Sequence, residues 1–143
     1  MGNILAIINA LALFIIGIFH IYWAFGGEVG AKVVLPEMEK DGLAFTPSKL
    51  ATSIVGTIFF GLGILPLIAM EIVVIQLPSF FNDYMILGLG IIFFIRAIGE
   101  FKYVGFFKKV KSTMFAEYDT KYFSPLSFVL SIFFFLIEFL FRT

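Results

Sequence analysis

Residues 3–25 read NILAIINALALFIIGIFHIYWAF. Only Asn9 and His20 interrupt the apolar run before Tyr22 and Trp23. About 20 residues of α-helix cross the roughly 30 Å hydrocarbon core of a bilayer, so this stretch is long enough to span. No basic segment precedes it, as one would in a cleaved secretory leader, and it reads as a retained helix. Tyr22 and Trp23 fall where a helix enters the membrane interface, and Gly26-Gly27 ends the pattern.

Working outward, the composition of the whole chain agrees. Of 143 residues, 61% are hydrophobic and 14% charged, with a mean hydropathy of +1.06. A soluble domain carries about 45–50% apolar and about 25% charged residues, so lipid must solvate much of this surface. The net charge is zero, which gives no electrostatic case for nucleic acid. The absence of Cys excludes disulfides, thiolate chemistry and Cys-ligated metals. One His without clustered ligand spacing is no metal site. No cofactor is implied, and Walker A, G-x-S-x-G and H-E-x-x-H motifs are all missing.

Three further spans are expected, at about 49–76, 84–100 and 124–141, after the first at 3–25. The second contains Gly56, Gly61, Gly63 and Pro66, tolerated in membranes where neighbours re-satisfy the backbone. Thr46-Pro47-Ser48 reads as its entry, and a helical turn is expected near Pro36–Lys40 in the connection before it. Between the third and fourth spans, Val104, Phe107, Val110, Met114, Tyr118 and Tyr122 recur at helical spacing among lysines. That pattern predicts an amphipathic helix at the membrane surface. The expected fold class is all-α, a single-domain integral membrane four-helix bundle with this interfacial helix. The two long connections hold every Lys, and the turn from Gln76 to Asp83 has no Lys or Arg. The positive-inside rule then puts both connections in the cytoplasm and both termini outside.

Four spans bring several polar residues to one face: His20, Tyr22, Trp23, Arg96, Glu100, Asp119, Tyr122 and Ser124. Charges within spans are costly and tend to face the bundle interior or a wet cavity. Arg96 and Glu100, spaced i, i+4, are expected to pair on one helix face. Arg96 then either anchors an anion or carbonyl, or snorkels to fix helix depth. His20 either handles a proton or makes a structural hydrogen bond to Glu100 or a carbonyl across a helix interface. Lys108, Lys109 and Lys111 are candidates for anionic lipid headgroups. Glu71 and Glu138 fall toward the other face, where Glu71 is either on a proton path or a terminal carboxyl.

Particular strings resemble a known family. Phe19-His20-Ile21-Tyr22-Trp23-Ala24-Phe25-Gly26-Gly27 with Val34-Leu35-Pro36, then Gly99 to Lys109, then Phe115-Ala116 and Asp119 to Leu126, are similar to the family of small bacterial membrane proteins catalogued as domain of unknown function 3995. The resemblance implies four spans in a bacterial inner membrane and carries no catalytic residue. A looser, fold-level likeness exists to DoxX-like and EXPERA-type bundles.

The leading expectation is a binding protein. Its bundle pocket would take a lipid, quinone or other apolar ligand, with His20, Tyr22, Trp23, Arg96, Glu100, Asp119 and Tyr122 around the head. One alternative is an accessory subunit of a larger membrane complex or a homo-oligomer, docking through the glycines of the second span. Another is a membrane enzyme with His20 as base and Glu100 as acid. Transport through Glu71 is the least favoured reading. Membrane lipids are the one partner common to all of these.

Overall fold

A computed structural model describes residues 1–38, 42–43 and 46–142. Four helices in it are long and apolar enough to cross a membrane. Helix α1 is Gly2–Ala24 and α2 is a single turn, Ala31–Val34. Two-residue strands β1 (Glu37–Met38) and β2 (Gly42–Leu43) pair antiparallel. Helices α3 (Lys49–Ala69) and α4 (Ser79–Ile98) are the second and third spans. The fourth is continuous from Met114 to Phe141. It comprises α5 (Met114–Tyr118), a π-helical turn (Asp119–Phe123), α6 (Ser124–Leu136) and a second π-turn (Ile137–Phe141). Apart from the short ladder, all regular structure among the described residues is helical.

The helix starts have local causes. Ser48 Oγ accepts from the Ala51 N–H at 3.1 Å, capping α3 at the expected entry. Thr113 Oγ1 does the same for the Ala116 N–H at 3.1 Å. Pro78 precedes α4, where a missing N–H costs nothing.

Several boundaries differ from the sequence reading. The second span ends at Ala69 rather than Gln76. Glu71 takes a left-handed conformation, φ 56°, and the Ile72 N–H turns back to Leu67 O at 2.9 Å. The apolar run 72–75 therefore continues outside the helix. The third span starts at Ser79 rather than Tyr84, because Asn82 and Asp83 sit within the helix rather than in a loop. The helical turn of the first connection is Ala31–Val34, not Pro36–Lys40; residues 39–41, and Phe45, lie outside the described residues.

The interfacial amphipathic helix is also corrected. Residues 101–113 are non-helical, and helix resumes only at Met114 as part of the last span. Backbone conformation is the reason. Gly99 (φ 86°), Phe101 (φ 66°) and Gly105 (φ 91°) are all left-handed, a region that L side chains avoid. The periodicity from Val104 to Tyr122 spans two unlike structures.

Helix α1 packs mainly on α3, and α4 mainly on α6. Both pairs are antiparallel. A Cβ on Gly17 would stand 3.1 Å from Gly56 O, so the α1 and α3 backbones nearly touch, the close approach that small residues allow in membranes. The core, with Leu13, Ile86, Leu89, Leu130, Phe134 and Ile137 among its members, lies where the two pairs meet. Gly2 abuts Phe141 and Met70. The chain start, the end of α3 and the end of the last helix thus share one end of the bundle, and the long connections share the other. At most 33% of any span's apolar window is buried, while Ile4, Ile18, Ile58 and Ile92 are all more than half exposed. Such faces suit acyl chains, not water. The chain is accordingly a multi-pass membrane protein.

Candidate functional site: a buried acid shared by two cations

Arg96 lies in the last turn of α4, three residues before Gly99 breaks the helix. Beyond Gly99 the chain folds back over that helix end. The Phe106 N–H bonds Ala97 O at 2.8 Å, and the Lys109 and Val110 N–H groups bond Lys102 O at 3.1 and 2.9 Å. The carbonyls that a helix C-terminus leaves open are thereby partly satisfied. The return is tight: a Cβ on Gly99 would collide with Val104 O, and one on Gly105 with Ile98 O.

This loop carries Lys108 inward toward Asp119, the first residue of the π-turn. Asp119 is 0% exposed and its carboxylate accepts from four donors on three segments. Oδ1 accepts from Arg96 Nη2 at 2.8 Å. Oδ2 accepts from the Gly105 N–H at 2.8 Å, Lys108 Nζ at 3.0 Å and Ser124 Oγ at 3.0 Å. The last bond depends on the wide turn. Five residues lie about 140° apart around an ordinary α-helix, but an i→i+5 turn returns Ser124 to the face of Asp119. The Ser124 N–H likewise reaches Asp119 O. Lys108, 3% exposed, fills all three of its donor positions: Asp119 Oδ2, Gly105 O at 3.0 Å and Thr120 Oγ1 at 2.6 Å. Thr120 Oγ1 in turn donates to Ala116 O at 3.0 Å.

Two cations thus share one carboxylate, and Arg96 is left incomplete. Its Nη1 is buried and has no hydrogen-bond partner among the described residues, although the side chain as a whole is 34% exposed. Glu100 does not complete it. The expected i, i+4 pair is absent because the helix stops at Ile98, and Glu100 Oε1 accepts instead from the Tyr103 and Val104 N–H groups.

The other expected site residues gather elsewhere. His20 Nδ1 bonds Ile16 O in its own helix at 2.8 Å; among the described residues no hydrogen bond joins it to Glu100 or to a carbonyl across a helix interface, and its ring packs near Trp23 and Phe59. Trp23 Nε1–H donates to Val29 O at 2.7 Å, and Tyr22 Oη accepts weakly from the Val29 N–H at 3.4 Å. These residues tie the loop after α1 to its helix. Among the described residues no hydrogen bond or ion pair joins them to the Asp119 cluster. Tyr122 is exposed, tilted against Tyr118 and under Lys121. Of the three lysines proposed for headgroups, Lys109 and Lys111 are exposed, but Lys108 is enclosed and its ammonium already committed. Gly105 and Thr120 were not legible as members of the cluster. A glycine amide leaves no mark in a sequence, and Thr120 beside an acid looks like any helix-surface threonine.

A surface hollow of about 550 Å³ opens beside Thr120, lined by Lys111, Thr113, Met114, Glu117 and Lys121 among others; Arg96 is not part of its wall.

Comparison with known proteins gives one match. The family described as Protein of unknown function (DUF3995) covers residues 13–134. The chain belongs to that family. The match covers the second and third spans, reaches into the first and fourth, and includes every residue of the Asp119 cluster. No curated protein and no solved structure matches it, and the looser likeness to the DoxX and EXPERA bundles is not shown.

Proposed function

We propose that this DUF3995 protein is a binding protein of the bacterial inner membrane that holds a lipid-like molecule by an acceptor head at Arg96. The observation that carries the reading is the unpartnered Arg96 Nη1. A guanidinium nitrogen without an acceptor is costly in a low-dielectric setting. Bulk water does not reach this atom. The acceptor that completes it has to be enclosed by the protein, as the head of an amphiphile docked at the helix ends would be. Local charge favours the same ligand, since Asp119 offers one negative charge to two cations. We place this end of the bundle in the cytoplasm by the lysines of the long connections, with Lys109 and Lys111 free to meet anionic headgroups.

Arg96→Lys separates the ligand role from the structural one. Lysine keeps an ion pair with Asp119 but lacks the second nitrogen. Native mass spectrometry of gently extracted protein should show a small retained mass in the wild type that is lost in Arg96→Lys, with the bundle still folded. Equal retention in both would refute the reading. A retained polypeptide with no small molecule would make the chain an accessory subunit instead.

A further inference from the structure

The buried polar residues of the spans fall into a pattern that the Arg96 site does not use. Beyond Ser124, which belongs to that site, Ser127 and Ser131 lie on the inner stripe of α6, at most 7% exposed. Ser127 Oγ donates to Phe123 O at 2.8 Å and Ser131 Oγ to Phe128 O at 2.7 Å, which satisfies their protons and leaves their lone pairs open. Hydroxyls bonded to their own helix are ordinary in membranes. Asn9 is not. It is 0% exposed, in the first span, and among the described residues neither Oδ1 nor Nδ2 has a partner.

Position relates the two. Asn9 lies between Ala6 and Leu13 on the buried face of α1, and both pack in one cluster with Leu130 and Phe134. Gly2 abuts Phe141 at the far end of the last helix. Counting inward along antiparallel helices brings Asn9 level with Phe134, and so within about one helical turn of Ser131. The register thus sets the buried amide at the level of the serine stripe on the neighbouring helix.

We infer that Asn9 and Ser131 hold an ordered water inside the bundle. An amide presents a donor and an acceptor side by side, and water is the small molecule that answers both. The water accepts from Asn9 Nδ2, donates to Asn9 Oδ1 or to a free Ser131 lone pair, and so gains the two or more polar partners that a buried water requires. A partner protein cannot serve, since the amide has no exposed surface.

The test uses the full chain in lipid bilayers with ¹⁵N-asparagine. The asparagines are Asn3, Asn9 and Asn82, and Asn3 is exposed, which supplies an internal reference. In proton-detected solid-state NMR, magnetisation from water should reach the Asn9 side-chain amide as strongly as that of Asn3. Asn9→Leu should remove that signal alone, which assigns it. Ser131→Ala should weaken transfer to Asn9 and leave Asn3 unchanged. An Asn9 amide that receives nothing from water, or receives magnetisation only from acyl chains, overturns the inference. Undiminished transfer in Ser131→Ala removes the serine from the site.

Discussion

Replacing Asp119 by Asn removes the charge that two cations share while keeping the side chain's shape. The asparagine cannot suit its surroundings. Its NH₂ must face either Arg96 or the trio of Gly105, Lys108 and Ser124, all of them donors to Asp119. The larger loss is at Lys108, whose side chain is 1% exposed: its ammonium would remain buried among neutral acceptors. Breaking a buried pair in this way costs about 3–5 kcal/mol. Arg96 is a third exposed and adds at most about 1 kcal/mol. The expected destabilisation is about 4 kcal/mol, roughly a thousandfold in the folding equilibrium. Unfolding in mixed micelles of rising SDS fraction would measure it. Trypsin should at the same time begin to cut within 102–111, as Lys108 loses its anchor. Adding Lys108→Met should recover more than half of the loss, because an apolar side chain there leaves no orphaned charge. Asp119→Asn within about 1 kcal/mol of wild type, or a double variant less stable than the single one, would refute the reasoning.

Other expectations follow from the same structure. Gly56→Leu should cost about 1–3 kcal/mol by forcing α3 off α1, whereas Gly61→Leu, with nothing within 4 Å of its Cβ, should be close to neutral in the same micelle titration. Gly99→Ala should abolish the folded loop, since both its φ of 86° and the contact with Val104 O oppose a Cβ; loss of protection from trypsin at 102–111 reports it. His20→Phe should change stability by less than about 1 kcal/mol, because the bond lost is one intrahelical contact. A larger effect in that titration would mean that His20 has a partner beyond Ile16.

What a sequence shows of this protein is set by the range of the interactions. Hydropathy is local, and α1 was legible to within a residue or so: 3–25 expected, Gly2–Ala24 found. Hydropathy misled where the chain stayed apolar after the helix ended, as at Ile72–Ile75, because the break is the left-handed backbone of Glu71. The i, i+4 rule proposed Glu100 for Arg96. The helix stops between them, and Arg96 meets an acid 23 residues away that no spacing rule connects to it. Lys108 looked like one more cation in a basic run, yet it is the one that the loop turns inward. The convergence of Arg96, Asp119 and Ser124 was legible from topology. Their bonding was not, and His20, Tyr22 and Trp23 belong to a separate structural group at the end of α1.

The wide turn at Asp119–Phe123 has a consequence for how this chain can change over time. A five-residue turn amounts to an ordinary helix that has taken in one additional position. Removing any one residue between 120 and 123 would let the turn tighten to ordinary α-helix and leave Asp119 four positions before its serine, about 40° around the axis and still on the same face. What would part the acid from Ser124 is the same five residues wound as ordinary α-helix, which sets the two about 140° apart. Length and winding in this stretch are therefore coupled: a relative lacking one residue there keeps the same cluster in an ordinary helix, whereas one of full length needs the wide turn.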